Sequence, residues 1–84
     1  MPYTVIVSSS AEREIRKLPD HIRTPILLAM RALAINPRPL GCKKLVSKSS
    51  FRIRIGTYRI IYDIQDKQLI VEVIKVADRK EVYR

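Results

Sequence analysis

Six basic residues, Lys43, Lys44, Lys48, Arg52, Arg54 and Arg59, lie between positions 43 and 59 with no acidic residue among them. Within this stretch Phe51-Arg52-Ile53-Arg54-Ile55 alternates apolar side chains with guanidiniums, the pattern of a strand with two unlike faces. Gly56-Thr57 has the form of a two-residue hairpin loop. Such a loop sets Ile55 opposite Tyr58, Arg54 opposite Arg59 and Arg52 opposite Ile61. Arg52, Arg54 and Arg59 then share one surface, while Phe51, Ile53, Ile55, Tyr58 and Ile60 face the core. Like charges directly opposite each other destabilise a sheet. An arginine pair of this kind is either splayed into water or arranged around an anion, and guanidinium is planar and bidentate toward phosphate. A phosphate site is the preferred reading.

Other chemistries are poorly supplied. His21 is the single histidine and lies between two helical stripes, where a structural or merely exposed role is expected. Cys42 stands alone, so an internal disulfide and a cysteine-based zinc site are excluded. Clustered carboxylates for a two-metal site, zinc-type His/Cys spacing and a glycine-rich phosphate loop are all missing from the sequence. Arginines and tyrosines remain. They suit RNA cleavage without a metal cofactor, in which a 2′-OH attacks the adjacent phosphate and fixed positive groups stabilise the phosphorane. Arginine is too weak a base to take the hydroxyl proton, so another group must do so.

The chain that positions these groups has 84 residues and a formal charge of +9, with 46% hydrophobic and 30% charged residues. This is the composition of a folded chain, and its length suits one domain spanning 1–84. The charge is uneven: residues 1–42 carry +3 and residues 43–84 carry +6. Nucleic acid, an anionic membrane surface or an acidic protein are the partners such a balance favours. The basic residues interleave with strand apolars instead of forming one helix face, which disfavours the membrane. The longest apolar run, Pro25 to Met30, is far shorter than the ~20 residues of a membrane span. The first residues lack a signal peptide's basic and apolar regions, so a cytoplasmic location is expected.

Tyr3 to Val7 is β-branched and reads as a strand. Ser9 and Glu12 have capping-box spacing, and Ala11, Ile15 and Leu18 form the stripe of a first helix. Pro19-Asp20 interrupts it. A second stripe comprises Ile22, Ile26, Ala29, Met30, Leu33 and Ala34. Pro25 either opens this helix after a Thr24 cap or kinks one begun near Asp20. Asn36 to Pro39 ends it. The two helices are expected to cover one face of a sheet. After the hairpin, Leu69 to Val76 is almost continuously apolar, as in a central strand covered on both sides. The polar segment 77–84 closes the chain.

In this order the segments resemble the RelE/ParE toxin superfamily of bacterial toxin–antitoxin systems. The fragments that carry the resemblance are Leu18-Pro19-Asp20, Lys43-Lys44-Leu45, the run RIRIGTYRIIY from Arg52 to Tyr62, and Arg79-Lys80-Glu81-Val82-Tyr83. The match extends over essentially the whole chain. It implies an α+β fold in which two N-terminal helices pack on one face of a roughly four-stranded, mainly antiparallel sheet. RelE-type members are ribosome-dependent endoribonucleases that cut messenger RNA with basic residues and a C-terminal tyrosine, without a cofactor. By position, the resemblance assigns catalytic roles to Arg52, Arg54, Arg59, Arg79 and Tyr83; the basic residues Lys43, Lys44, Lys48, Lys80 and Arg84 are expected to contact the RNA. It also implies a cognate antitoxin bound in a hetero-oligomer, with the ribosome and mRNA as further partners.

Two departures stand out. Arginine at both 52 and 54 leaves no lysine there to act as base, and Tyr83 is the nearest candidate. Asp78 precedes Arg79 where many relatives have a basic group; it either orients Arg79 or weakens the site. Tyr83 also has a plain reading as a tail residue packed on the sheet, and Tyr58 and Tyr62 read as core or sheet-edge residues. ParE-type members share the fold but poison DNA gyrase, and a non-catalytic RNA-binding module is a further alternative.

Overall fold

The computed structural model describes residues 2–46 and 49–78. Its elements follow in the order β1 (Thr4–Val7), α1 (Ser9–Arg16), α2 (Asp20–Ala32), β2 (Lys43–Lys44), β3 (Ser50–Ile55), β4 (Tyr58–Gln65) and β5 (Ile70–Asp78). They form one sheet in the order β1-β5-β4-β3-β2. β1 runs parallel to β5 and the other neighbours are antiparallel. The α+β class and the mainly antiparallel pairing are as expected, but the sheet has five strands. The extra strand, β2, is two residues long and too short to show alternation. Among the described residues no helix is long and apolar enough to cross a membrane.

Helix α1 starts one residue earlier than the Ser9–Glu12 pattern suggests. Its cap is Ser8, whose Oγ accepts from the Ala11 amide at 3.2 Å and donates to the Ile74 carbonyl at 2.8 Å. One hydroxyl thus closes the helix and ties it to β5, which Ser9 could not do from inside the first turn. Helix α2 begins at Asp20 and runs through Pro25 without interruption. Pro25 and His21 are both exposed. The His21 carbonyl loses its helical amide partner to the proline.

Both helices bury their stripes on the same face of the sheet. Ala11, Ile15, Ile26, Met30 and Leu33 meet Ile53, Ile60, Tyr62, Val71, Val73 and Val76 in a single cluster. Tyr62 is fully buried and donates its hydroxyl to the Pro37 carbonyl at 2.7 Å, which fastens the loop after α2. Burial pushes its phenol well above the ordinary tyrosine range, with the neighbouring Cys42 adding to the shift. β5 lies inside the sheet, and its helix-facing Val71, Val73 and Val76 are buried; on the opposite face Ala77 is also buried, but Lys75 is exposed and Glu72 partly exposed. Cover on both faces, as expected, is thus found at Ala77 but not at Lys75; among the described residues the helices pack on one face.

A second set of contacts ties down the end of the sheet near the β4–β5 turn. Tyr3 donates to Asp66 Oδ1 at 2.6 Å, and Arg38 reaches both Asp66 oxygens at 3.2 and 2.9 Å. Arg38 also lies 5.4 Å from the centre of the Phe51 ring, which stacks on Tyr62 at 6.0 Å. The N-terminal strand, the loop after α2 and the β4–β5 turn are thereby joined.

Candidate nucleic-acid interface

The hairpin that carries the arginines folds in the register its sequence dictates. Gly56 has φ +61°, a left-handed conformation that a side chain would strain, and it opens the two-residue loop. Ile55 pairs with Tyr58, Arg54 with Arg59, Ile53 with Ile60 and Arg52 with Ile61. Ile53 and Ile60 are buried against the helices, so the pleat turns Arg52, Arg54 and Arg59 toward the open face. Arg54 is exposed, while Arg52 and Arg59 are partly buried. Cα atoms paired across neighbouring strands lie about 5 Å apart. Side chains two residues apart along a strand are separated by about 7 Å. Three guanidiniums therefore rise from a patch small enough to surround one phosphate.

The remaining strands extend this patch into rows. One row is Arg54, Arg59 and Ala77, in which the alanine is only 5% exposed below its longer neighbours. The next is Lys43, Arg52, Ile61 and Lys75. Lys75 was not among the residues singled out from the sequence. Its place on this face follows from a β-bulge: Ile61 pairs with Lys75 but Tyr62 pairs with Val73, which leaves Ile74 as the extra residue. The charged residues in LIVEVIKV were the available signal, but their odd spacing hides that Glu72 and Lys75 share a face.

Other sequence-derived residues are placed differently. Lys43 pairs with Arg52 and joins the arginine face, whereas Lys44 pairs with Phe51 and alternates to the opposite side of the sheet. Asp78 pairs with Tyr58 on the helix-facing side, turned away from Arg54 and Arg59. Lys48, Arg79, Lys80, Tyr83 and Arg84 lie outside the described residues. His21 is exposed on α2, beside a small crevice that it shares with Gly56, Thr57 and Tyr58. Among the described residues no group of three or more His, Cys, Asp or Glu is gathered as a metal site.

The outer edge of the patch is open. β2 covers only Phe51 and Arg52, and beyond it a cleft of about 460 Å³ separates β3 from α2 and the following loop. Lys43, Arg52 and Arg54 line it together with Ala29, Pro39 and Leu40. Basic side chains thus stand beside an apolar recess.

The family model described as the ParE toxin of type II toxin–antitoxin systems (parDE) matches residues 5–83. The chain belongs to the ParE toxin family. The toxin is 36% identical to Toxin RelG of Mycobacterium tuberculosis over 87 residues, covering 100% of this chain and 99% of that protein. Its fold is similar to the toxin in the RelBE2 toxin–antitoxin complex of M. tuberculosis, with a TM-score of 0.81, 33% identity, and 94% and 100% of the two chains covered. The archaeal RelE–RelB complex of Pyrococcus horikoshii is also similar, with a TM-score of 0.84, 25% identity, and 94% and 97% covered. The toxin is therefore of the RelE/ParE kind, in both sequence and fold.

Proposed function

We propose that this toxin is a ribosome-dependent endoribonuclease that cuts messenger RNA in the ribosomal A site and so blocks translation. The observation that carries the reading is the register that sets Arg54 opposite Arg59, with Arg52 on the same open face. In the reaction a 2′-oxygen attacks the adjacent phosphorus, its proton passes to a base, and the 5′-oxygen departs with a proton to leave a cyclic phosphate. Arg52, Arg54 and Arg59 hold the charge that grows on the non-bridging oxygens. By family resemblance Arg79 completes the cationic set and Tyr83 aligns a base or moves a proton. Lys43 serves the flanking backbone from the same face, with Lys48, Lys80 and Arg84 as further contacts, while Lys44 on the opposite side takes no part. The ribosome holds the substrate in line, which is the larger part of positioning.

A cognate antitoxin belongs to the same proposal. The RelBE2 relative is a toxin–antitoxin complex and the P. horikoshii relative a complex of RelE with RelB, and a +9 chain is relieved of self-repulsion by an acidic partner. Its helical or extended segment covers the arginine face or displaces residues 77–84. Purification together with the product of the neighbouring gene tests this.

The nuclease reading is tested by mapping mRNA ends in a translation extract to which the toxin is added. Codon-phased cuts are expected from the wild type and their loss from Arg54→Ala and Tyr83→Phe variants that remain folded. The family model's ParE description favours one other reading, a gyrase poison. Toxicity that survives substitution of all three arginines, accompanied by gyrase–DNA cleavage complexes, would establish that alternative.

A further inference from the structure

The open face carries charge of both signs, and the signs are sorted by row. Arg54 and Arg59 form the first row, and Lys43, Arg52 and Lys75 the second. On this same face, moving away from the hairpin turn, the next row is Ser50, Asp63, Glu72 and Ile6. Asp63 accepts a 2.6 Å hydrogen bond from the buried Ser50 hydroxyl, which fixes its carboxylate there. A polyanion lying along the strands would run from two basic rows into an acidic one. Lying across the strands, it meets cations from Lys43 to Lys75.

Lys75 is available for that contact. It is exposed, and its strand neighbour Val76 is buried in the core, so the pleat fixes its direction. Glu14 lines the cleft beside it but pairs with Lys17 at 3.7 Å. Two interstrand gaps, about 10 Å, separate Lys75 from Arg52. Ile61 sits between them as a low apolar step. A long flexible lysine at that distance suits a neighbouring phosphate instead of the one gripped by the arginines.

We propose that Lys75 contacts the RNA backbone at a phosphate beside the scissile one, so that the bound strand crosses β3, β4 and β5, and that the Asp63–Glu72 row marks its limit. This rests on the reading of the face as an RNA site. The test uses the full-length toxin and a short 2′-O-methyl RNA oligonucleotide, which binds but cannot be cut, with anisotropy followed across a series of KCl concentrations. Lys75→Gln should weaken binding several-fold and reduce the slope of log K against log[salt] by about 0.7, the value for one single-strand phosphate contact. Lys75→Arg should keep the slope. Glu72→Gln should tighten binding, and Lys67→Gln, in the β4–β5 turn, should change neither quantity. An unchanged slope in Lys75→Gln, with normal wild-type binding, would remove Lys75 while leaving the nuclease reading intact. A wild type that neither binds the oligonucleotide nor cuts mRNA would overturn both.

Discussion

At the β4–β5 end of the sheet Arg38 grips both oxygens of Asp66, which also accepts from Tyr3. At the β3–β4 end Arg54 is paired across the strands with Arg59. The same residue type serves opposite purposes at the two ends. Arg38 is matched by a carboxylate and backed by an aromatic ring, and its contacts hold three chain segments together. The cross-strand arginines concentrate one sign of charge on an open face, at a cost to the sheet that a purely structural design would avoid. Cations are thus fastened to an opposite charge at one end and gathered beside one another on the open face at the other.

Neutralising the massed charges should have the largest effect. Arg54→Gln with Arg59→Gln should lower mRNA cleavage by at least about 10²-fold, the loss expected when one donor to a developing oxyanion is removed. Its melting temperature should stay level or rise, since relief of a cross-strand like-charge pair is worth about 0.2–1 kcal/mol. End mapping in extract and thermal denaturation of one preparation check the two halves. A large loss of stability would show that the pair has a structural function.

The fastened end should respond in the opposite sense. Tyr62→Phe removes the hydrogen bond to the Pro37 carbonyl and should cost about 1 kcal/mol, or a melting point lower by about 4–8 °C, with cleavage retained. The same variant should also respond differently to alkaline pH. Burial raises the Tyr62 phenol above its unfolded value of 10.0, so folding favours the protonated form. Its contribution is complete below pH ~10 and is lost as the pH rises through the folded value. Melting curves in alkaline buffers should fall less steeply for Tyr62→Phe than for the wild type.

The smallest effect belongs to Asp66. Arg38 and Tyr3 hold its carboxyl below the ordinary aspartate range, with the Arg38 hydrogen bonds the largest cause. Stability from this group is therefore present above its unfolded value and lost as the pH falls through the folded one. Asp66→Asn should remove that acid-limb dependence in melting curves. At neutral pH it should lower the melting temperature slightly, and less in high salt, because the pair is exposed.

Much of the hairpin was legible because its determinants are adjacent in sequence. Gly56 permits the loop, the loop sets the register, and strict alternation from Phe51 to Ile55 decides which side each residue takes. The helices were legible as stripes, but the cap was not, since Ser8, Ser9 and Ser10 differ only in what folds against them. Lys44 illustrates the limit at the sheet edge. Its type suited the basic patch, yet in a two-residue strand its side is decided by pairing with Phe51, 7 positions later.

The sequence alone therefore determined the charge, the two amphipathic helices and the face shared by Arg52, Arg54 and Arg59, because each depends on local periodicity or a single turn. Tertiary structure decided the parallel β1–β5 pairing, the placement of Ser8 against Ile74 and the clasp around Asp66. It also decided that Lys75 joins the arginines while Asp78 turns away. The physical reason is the bulge at Ile74, which resets the alternation of β5, and whose effect on the open face exists only once β4 is paired beside it.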